Sequence, residues 1–261
     1  VSSIASIIVT VTLMDQAPPG MTTTIRNVVE RTVERVVQGN TTPKETVKTV
    51  IVREEDIIAD AVDRESRTLA RIFTQVPPVA GSATSTSEFV SLGIVFSEEG
   101  TVVTDSATVS ESVTYTIKLA DGTTFDTKAV FQDEDLHIAF LQPVKPLEKK
   151  LISATLGDSE TARFGGMAVV IGGKKDASVN IGVVSGFDTA KKEIEKDGKK
   201  EEVTYRSNIR LSIGTGAGSL VVSGSGSVIA MGTGGEGSIS AVPVNLIKEL
   251  LASVPPVKAT P

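Results

Sequence analysis

The chain has no cysteine, no tryptophan and a single histidine in 261 residues, and aromatic side chains make up only 4% of it. Without cysteine there is no disulfide framework, no thiolate metal site and no cysteine nucleophile. One histidine is too few for a histidine-rich metal centre, and no cofactor fingerprint takes its place. Positive charge is also short. The 26 Lys and Arg against 32 Asp and Glu leave a net charge of −6, which lacks the basic footprint that nucleic-acid binding needs. The densest charged run, "KKEIEKDGKK" at 191–200, alternates in sign.

What is present is apolar and strand-like. At 40% hydrophobic, the chain can bury one large core or two modest ones. The opening "VSSIASIIVTVTLM", residues 1–14, carries no charge, but it is shorter than the ~20 residues a spanning helix takes. Three readings of it stand: the outer part of a membrane anchor or signal segment, a β-strand packing on this or another subunit, or a core helix, which its β-branched residues suit poorly. Residues 15–55 mix Val, Thr, Arg and Glu with little bulk. Val29, Val33 and Val36 have helical spacing, whereas "TVKTVIV" at 46–52 alternates like a strand. This stretch reads as an extended spacer, or as an oligomerising stalk.

From Glu54 the pattern sharpens. "EEDIIADAVDRESRTLARIF" sets Ile57, Ile58, Ala61 and Val62 on one helical face, with acids in the first turn where the helix dipole favours them. Short β runs follow: "LARIFTQV", "EFVSLGIVFSEEGTVVTDSATV", "SVTYTIKLADGTTFDTKAVFQD" and "HIAFLQPV", with "EEG" and "ADGT" as hairpin turns. A second series contains "ISATLGD", "MAVVIGG", "VNIGVVSGFD", "VTYRSNIRLSI", "SLVVSGSGSVIAMGT" and "GSISAVPV". The helix "VNLIKELLASV" then precedes a Pro-rich tail at 253–261. So many strands with almost no helix between them predict an all-β sandwich or barrel. Two series of similar length, parted near "KPLEKK" at 145–150, favour two packed barrels, about 69–148 and 151–247.

Residues 56–252 resemble the protease domain of the trypsin-like HtrA family of extracytoplasmic serine proteases. "SLGIVFSEEGTVVTDSATV" is similar to the family's GSGFIISxDGxIxTNxHVV, and "TIKLADGTTFDTKAVFQDEDLHIAFLQ" to its TVxLxDGxxxxAxVxxxDxxxDLALLK. "NIGVVSGFD" and "GSISAVPVNLIKEL" match its TVGIVSGxx strand and its GFAIPVNxxKxx closing segment. The resemblance implies a chymotrypsin-like double β-barrel with flanking N- and C-terminal helices. It also implies self-association, because the family commonly forms trimers near the N-terminus of this domain. A PDZ domain usually follows in this family, and the tail "SVPPVKATP" holds none.

The same alignment predicts loss of catalysis. Chymotrypsin-like chemistry needs a serine hydroxyl, a histidine to take its proton and an aspartate to orient that histidine. The histidine position of the family's turn holds Ala107, the aspartate position holds His137, and the nucleophile position within "GTGAGSL" holds Gly216. A vestigial oxyanion loop, Gly214, Thr215 and Gly216, would retain backbone N–H donors without a nucleophile.

Replacement constellations are few. A relocated Ser106–His137 pair is one scheme, with Thr108 the neighbouring hydroxyl. Set against it is a mostly buried His137 bonded to a neighbour. Ser212 and Ser219 read as strand-end hydroxyls, and "DEDLH" at 133–137 as a solvated turn rather than a metal site. "GTGAG" precedes a strand, not the helix of a dinucleotide site.

Two functions follow. One is an inactive extracytoplasmic pseudoprotease, tethered through its N-terminus to a membrane or cell surface. It would act as a binding, scaffold or assembly module for a protein or extended peptide added as a strand. The other is an active serine-type endopeptidase using unforeseen residues or a partner chain. The resemblance requires no cofactor or metal.

Overall fold

A computed structural model describes residues 54–76, 86–196, 199–235 and 237–254. The readings of residues 1–14 and 15–53 as anchor and spacer, and of the tail from 255 onward, lie outside these. Helix α1 spans Glu54–Ser66, and twelve strands follow. They are β1 Leu69–Val76, β2 Thr86–Val95, β3 Val102–Thr104, β4 Thr114–Lys118, β5 Thr124–Asp133 and β6 Ile138–Pro143. The second set is β7 Met167–Gly172, β8 Ser178–Lys196, β9 Lys199–Thr215, β10 Leu220–Ser223, β11 Val228–Gly232 and β12 Ser238–Pro243. Helix α2, Val244–Leu251, closes the described region. Each set forms a closed barrel, in the orders β1-β2-β3-β6-β5-β4 and β10-β11-β12-β9-β8-β7. The fold is a double β-barrel.

The apolar runs of the sequence are continuous because several strands are buried on both faces. In β2, Ile94 packs between the barrels while Val95 points into barrel one. Phe140 and Leu141 of β6 divide in the same way. In barrel two, Val169 and Leu220 face the junction, and their neighbours Val170 and Val221 fill the interior. Burying each such side chain contributes roughly 1.5–3 kcal/mol. The cleft described below is cut at this junction.

The hairpin turns form as expected. Gly100 and Gly122 have positive φ, and Phe96 and Leu119 donate their N–H groups across the turns to Thr101 and Thr123. Helix α1 buries Ala61 and packs Ile58 and Val62 on the junction. The wholly buried Glu65 accepts from Arg64 Nε at 2.8 Å and from the Thr155 amide at 3.1 Å. The helix is thereby fastened to the segment between the barrels.

Two elements differ from expectation. "ISATLGD" is not a strand; it contributes one isolated bridge, Leu156 to Val228, because it spans the gap between two sheets already closed. The alternating charges at 191–200 belong to the long β8–β9 ribbon. There Lys191 pairs with Glu202, and Lys200 with Glu193, so alternation in sign becomes cross-strand pairing.

Candidate functional site

A cleft of about 720 Å³ opens between the barrels, and two short turns carry its centre. The first follows β3. Asp105 is extended (φ −74°, ψ 125°) and caps a 3-10 turn at Ser106–Thr108, its Oδ1 accepting from the Ala107 amide at 3.0 Å. A short acceptor side chain at this position satisfies a free N–H of the turn. Ala107 lies in the cleft and offers only a methyl group.

The second turn joins β9 to β10 through Gly214–Ser219 and is pinned on both sides. Leu92 of β2 donates its N–H to Ala217 O at 3.3 Å, and Gly218 donates to Gly232 O at 2.9 Å. Gly218 has φ +74°, and a Cβ there would stand 1.8 Å from Leu92 O, so no other residue fits the turn where it meets barrel one. Gly216 is the opposite case. A Cβ there meets nothing within 4 Å, so the position faces open space in the cleft.

Of the loop's backbone donors, the Gly216 N–H is turned to Ser219 Oγ at 3.3 Å. Thr215 is buried and its hydroxyl lies 2.8 Å from Ser238 O and 3.0 Å from Ser240 O, anchoring the loop to β12. Gly214 also lines the cleft.

His137 is not the buried residue expected. Its side chain is 56% exposed, with Nδ1 3.9 Å from Asp105 Oδ1. The reason is local. The preceding Asp133 caps its own turn, accepting the Leu136 amide at 2.8 Å, and the chain re-enters β6 through His137 at φ +54°. The imidazole is thereby turned outward. Nor does the Ser106–His137 hydroxyl pair form. Ser106 Oγ donates to Asp133 O at 3.2 Å, and only the Ser106 N–H meets the His137 carbonyl, at 3.4 Å.

Other hydroxyls are likewise engaged. Ser91 Oγ lies 3.0 Å from Thr104 Oγ1, and Thr108 Oγ1 lies 3.0 Å from Ser91 Oγ and 2.7 Å from Asp105 O. Ser212 Oγ accepts from the Val183 amide at 2.9 Å.

The residue that sequence reasoning missed is Asp105. It is 1% exposed, and its Oδ2 accepts from the Gly234 amide of the β11–β12 loop at 2.7 Å. One carboxylate thus joins the two barrels at the cleft. The available signal was its place in "TDSATV", where the family's TNxHVV turn carries Asn.

Two six-stranded barrels with a cleft between a β3 turn and a glycine elbow define the serine-protease type of double barrel. The family model described as "Trypsin-like peptidase domain" matches residues 92–231, and the chain belongs to that family. Among curated relatives, the periplasmic serine endoprotease DegP of Salmonella typhimurium is 28% identical over 193 residues, covering 70% of this chain and 39% of that protein. A probable periplasmic DegP-like endoprotease of Brucella suis is 35% identical over 95 residues, 36% of this chain and 18% of that one. The chain thus spans well under half the length of these relatives.

Among solved structures, the HtrA-type protease AlgW with a decapeptide superposes with a TM-score of 0.60 at 20% identity, over 75% of this chain and 66% of that one. AlgW with a tripeptide gives 0.56 at 22% identity, over 75% and 62%. At these identities the likeness is one of fold, the double β-barrel.

Proposed function

We propose that this domain is a pseudoprotease: an extracytoplasmic binding, scaffold or assembly module that holds an extended peptide without cutting it. The observation that carries this reading is the pairing of Ala107 and Gly216 across one cleft. A side chain to take a proton and a side chain to attack a carbonyl are both missing where acyl transfer needs them. The cleft-lining hydroxyls of Ser91 and Thr108 are bonded within the protein, and the single histidine, 3.9 Å from Asp105 Oδ1, is not among the cleft-lining residues.

The cleft retains the shape for a ligand. Its lining includes Phe89, Val90, Leu92 and Val170 together with seven glycines, whose lack of side chains leaves room for an added strand. AlgW with bound peptides supports the class of ligand, and the periplasmic DegP relatives support an extracytoplasmic place.

Self-association is part of the reading. Met167 pairs with Val183 on the face that also carries Val179 and Ile181, and all four are exposed beside the exposed Phe164. Apolar patches of this kind mark interaction surfaces. Sedimentation of the wild type against Ile181→Lys tests it: the wild type is expected to assemble and the variant to sediment as a monomer.

The functional test is a pair of assays on one preparation: cleavage of unfolded casein, and binding of fluorescein-labelled casein peptides by anisotropy. Binding without cleavage is expected. Cleavage that persists through repeated purification would overturn the proposal in favour of an active endopeptidase.

A further inference from the structure

We infer that Asp105 is the positioning residue of the cleft, a latch through which barrel one sets the place of the peptide-facing wall of barrel two. The inference rests on the binding reading above. The wall is the β11–β12 connection, where Gly234 and Gly235 line the cleft with Gly237. Glycines supply no side chain to pack, and Gly234 and Gly237 both have φ above +80°. A Cβ at Gly235 would meet nothing within 4 Å. Such a segment has many accessible conformations unless its backbone is held.

Barrel two holds its two ends. Thr233 donates to Ser240 O at 3.1 Å, and Gly237 to Thr215 O at 3.2 Å. Between those ends, the 2.7 Å bond from the Gly234 amide to Asp105 Oδ2 reaches across to barrel one. Asp105 itself is fixed. Its Oδ1 takes the Ala107 amide at 3.0 Å, its own carbonyl takes the Thr108 hydroxyl at 2.7 Å, and it is 1% exposed. A carboxylate is an acceptor at both oxygens, so it satisfies two converging N–H groups at once. Asparagine at this position would present an NH₂ to one of them.

The β9–β10 turn is bonded to barrel one through the Leu92 amide to Ala217 O, and to the β11–β12 region through Gly218 to Gly232 O and Gly237 to Thr215 O. The place of the Gly234 tip relative to barrel one, and hence the fit of a strand against both, therefore depends on the Asp105–Gly234 bond.

The test uses the full chain and its Asp105→Ala, Asp105→Asn and Asp105→Glu variants, read in two ways. Amide exchange and the ¹H–¹⁵N shift of Gly234 report the latch without any ligand. Anisotropy with labelled casein peptides reports the groove. In the wild type the Gly234 amide is expected to be protected and shifted downfield. In Asp105→Ala, protection at Gly234 is lost while Ile229 in β11 stays protected, and peptide affinity falls roughly 10- to 100-fold, the scale of one charge-assisted bond. Asp105→Asn, keeping one acceptor oxygen, falls between. If Asp105→Ala fails to fold, the Gly234 shift and affinity of Asp105→Asn decide.

Unchanged exchange at Gly234 would overturn the latch. So would lost protection with unchanged affinity. If the wild type binds no peptide, the binding reading falls, and Gly234 exchange still decides whether Asp105 orders the wall.

Discussion

The Nδ1 of His137 stands 3.9 Å from Oδ1 of Asp105, with the histidine exposed and the acid buried. In a serine-protease triad the acid lies beneath and orients a histidine that faces the nucleophile. Here His137 stands at the acid's position, Ala107 at the histidine's, and the imidazole is turned towards solvent. The two residues should therefore respond to replacement very differently. Asp105→Ala leaves the part-buried bonds of the Ala107 and Gly234 amides without an acceptor and should cost about 2–6 kcal/mol, at 1–3 kcal/mol per unsatisfied group. His137→Gly removes a 3.9 Å contact whose imidazole is more than half exposed, worth ~0–1 kcal/mol, and relieves a left-handed backbone worth about 1–2 kcal/mol. Urea denaturation should find that variant as stable as the wild type or slightly more so.

The combined Ala107→His, His137→Asp and Gly216→Ser variant should cut casein where the native chain does not. Gly216 has open space for a side chain, Ala107 faces the cleft, and aspartate tolerates φ +54° at position 137. The gain is expected to be on the order of 100-fold over the native background, far short of the ~10⁶ a full triad supplies. The introduced carboxylate at 137 faces that of Asp105, and two like charges disfavour joint ionisation. A triple variant as silent as the native chain would show that the cleft has lost more than side chains.

Two glycines of one turn should behave oppositely. Gly218→Ala drives a Cβ into Leu92 O at a positive φ. Its cost should exceed about 4 kcal/mol, in the range of severe backbone strain combined with overpacking. Gly216→Ser, alone, should change stability by less than ~1 kcal/mol. Thermal melts of the two variants side by side check the contrast.

Acid stability has a named contributor at the other end of the domain. The Asn245 amide, donating at 2.7 Å, and then the Glu160 N–H hold the Asp158 carboxyl below its usual range, with Lys248 and Arg206 adding to the effect. A carboxyl lowered in the folded state stabilises fully above its unfolded value of about 3.9 and loses that contribution as pH falls through the folded value. Asp158→Asn should therefore be less stable near neutrality and show a flatter decline below about pH 4. Denaturation midpoints measured across pH 3 to 7 give the comparison. A parallel decline in both chains would exclude Asp158 as a contributor.

At the junction, Phe140 is fully buried and its ring lies 5.7 Å from that of Phe131. Phe140→Ala should cost about 3–5 kcal/mol through lost transfer energy and the cavity left behind, seen as a lower urea midpoint.

Sequence alone was enough for the architecture. Runs such as "IAFL", "AVVIG" and "VIAM" are apolar on both strand faces, and only strands shared between a barrel interior and a junction need that. Glycines at turn positions marked where strands reverse. That Ala107 and Gly216 bring no hydroxyl, acid or imidazole was also legible, because it is a property of residue type. What side chains do with their hydrogen bonds was not legible. His137 was read as mostly buried and bonded to a neighbour, yet a turn capped by Asp133 rotates it outward. Asp105 gave little local sign of its role, since its second partner, Gly234, lies 129 residues further along the chain. Local patterning fixed which faces of each strand are buried, whereas packing of the two barrels alone decided which carboxylate meets which amide across the cleft.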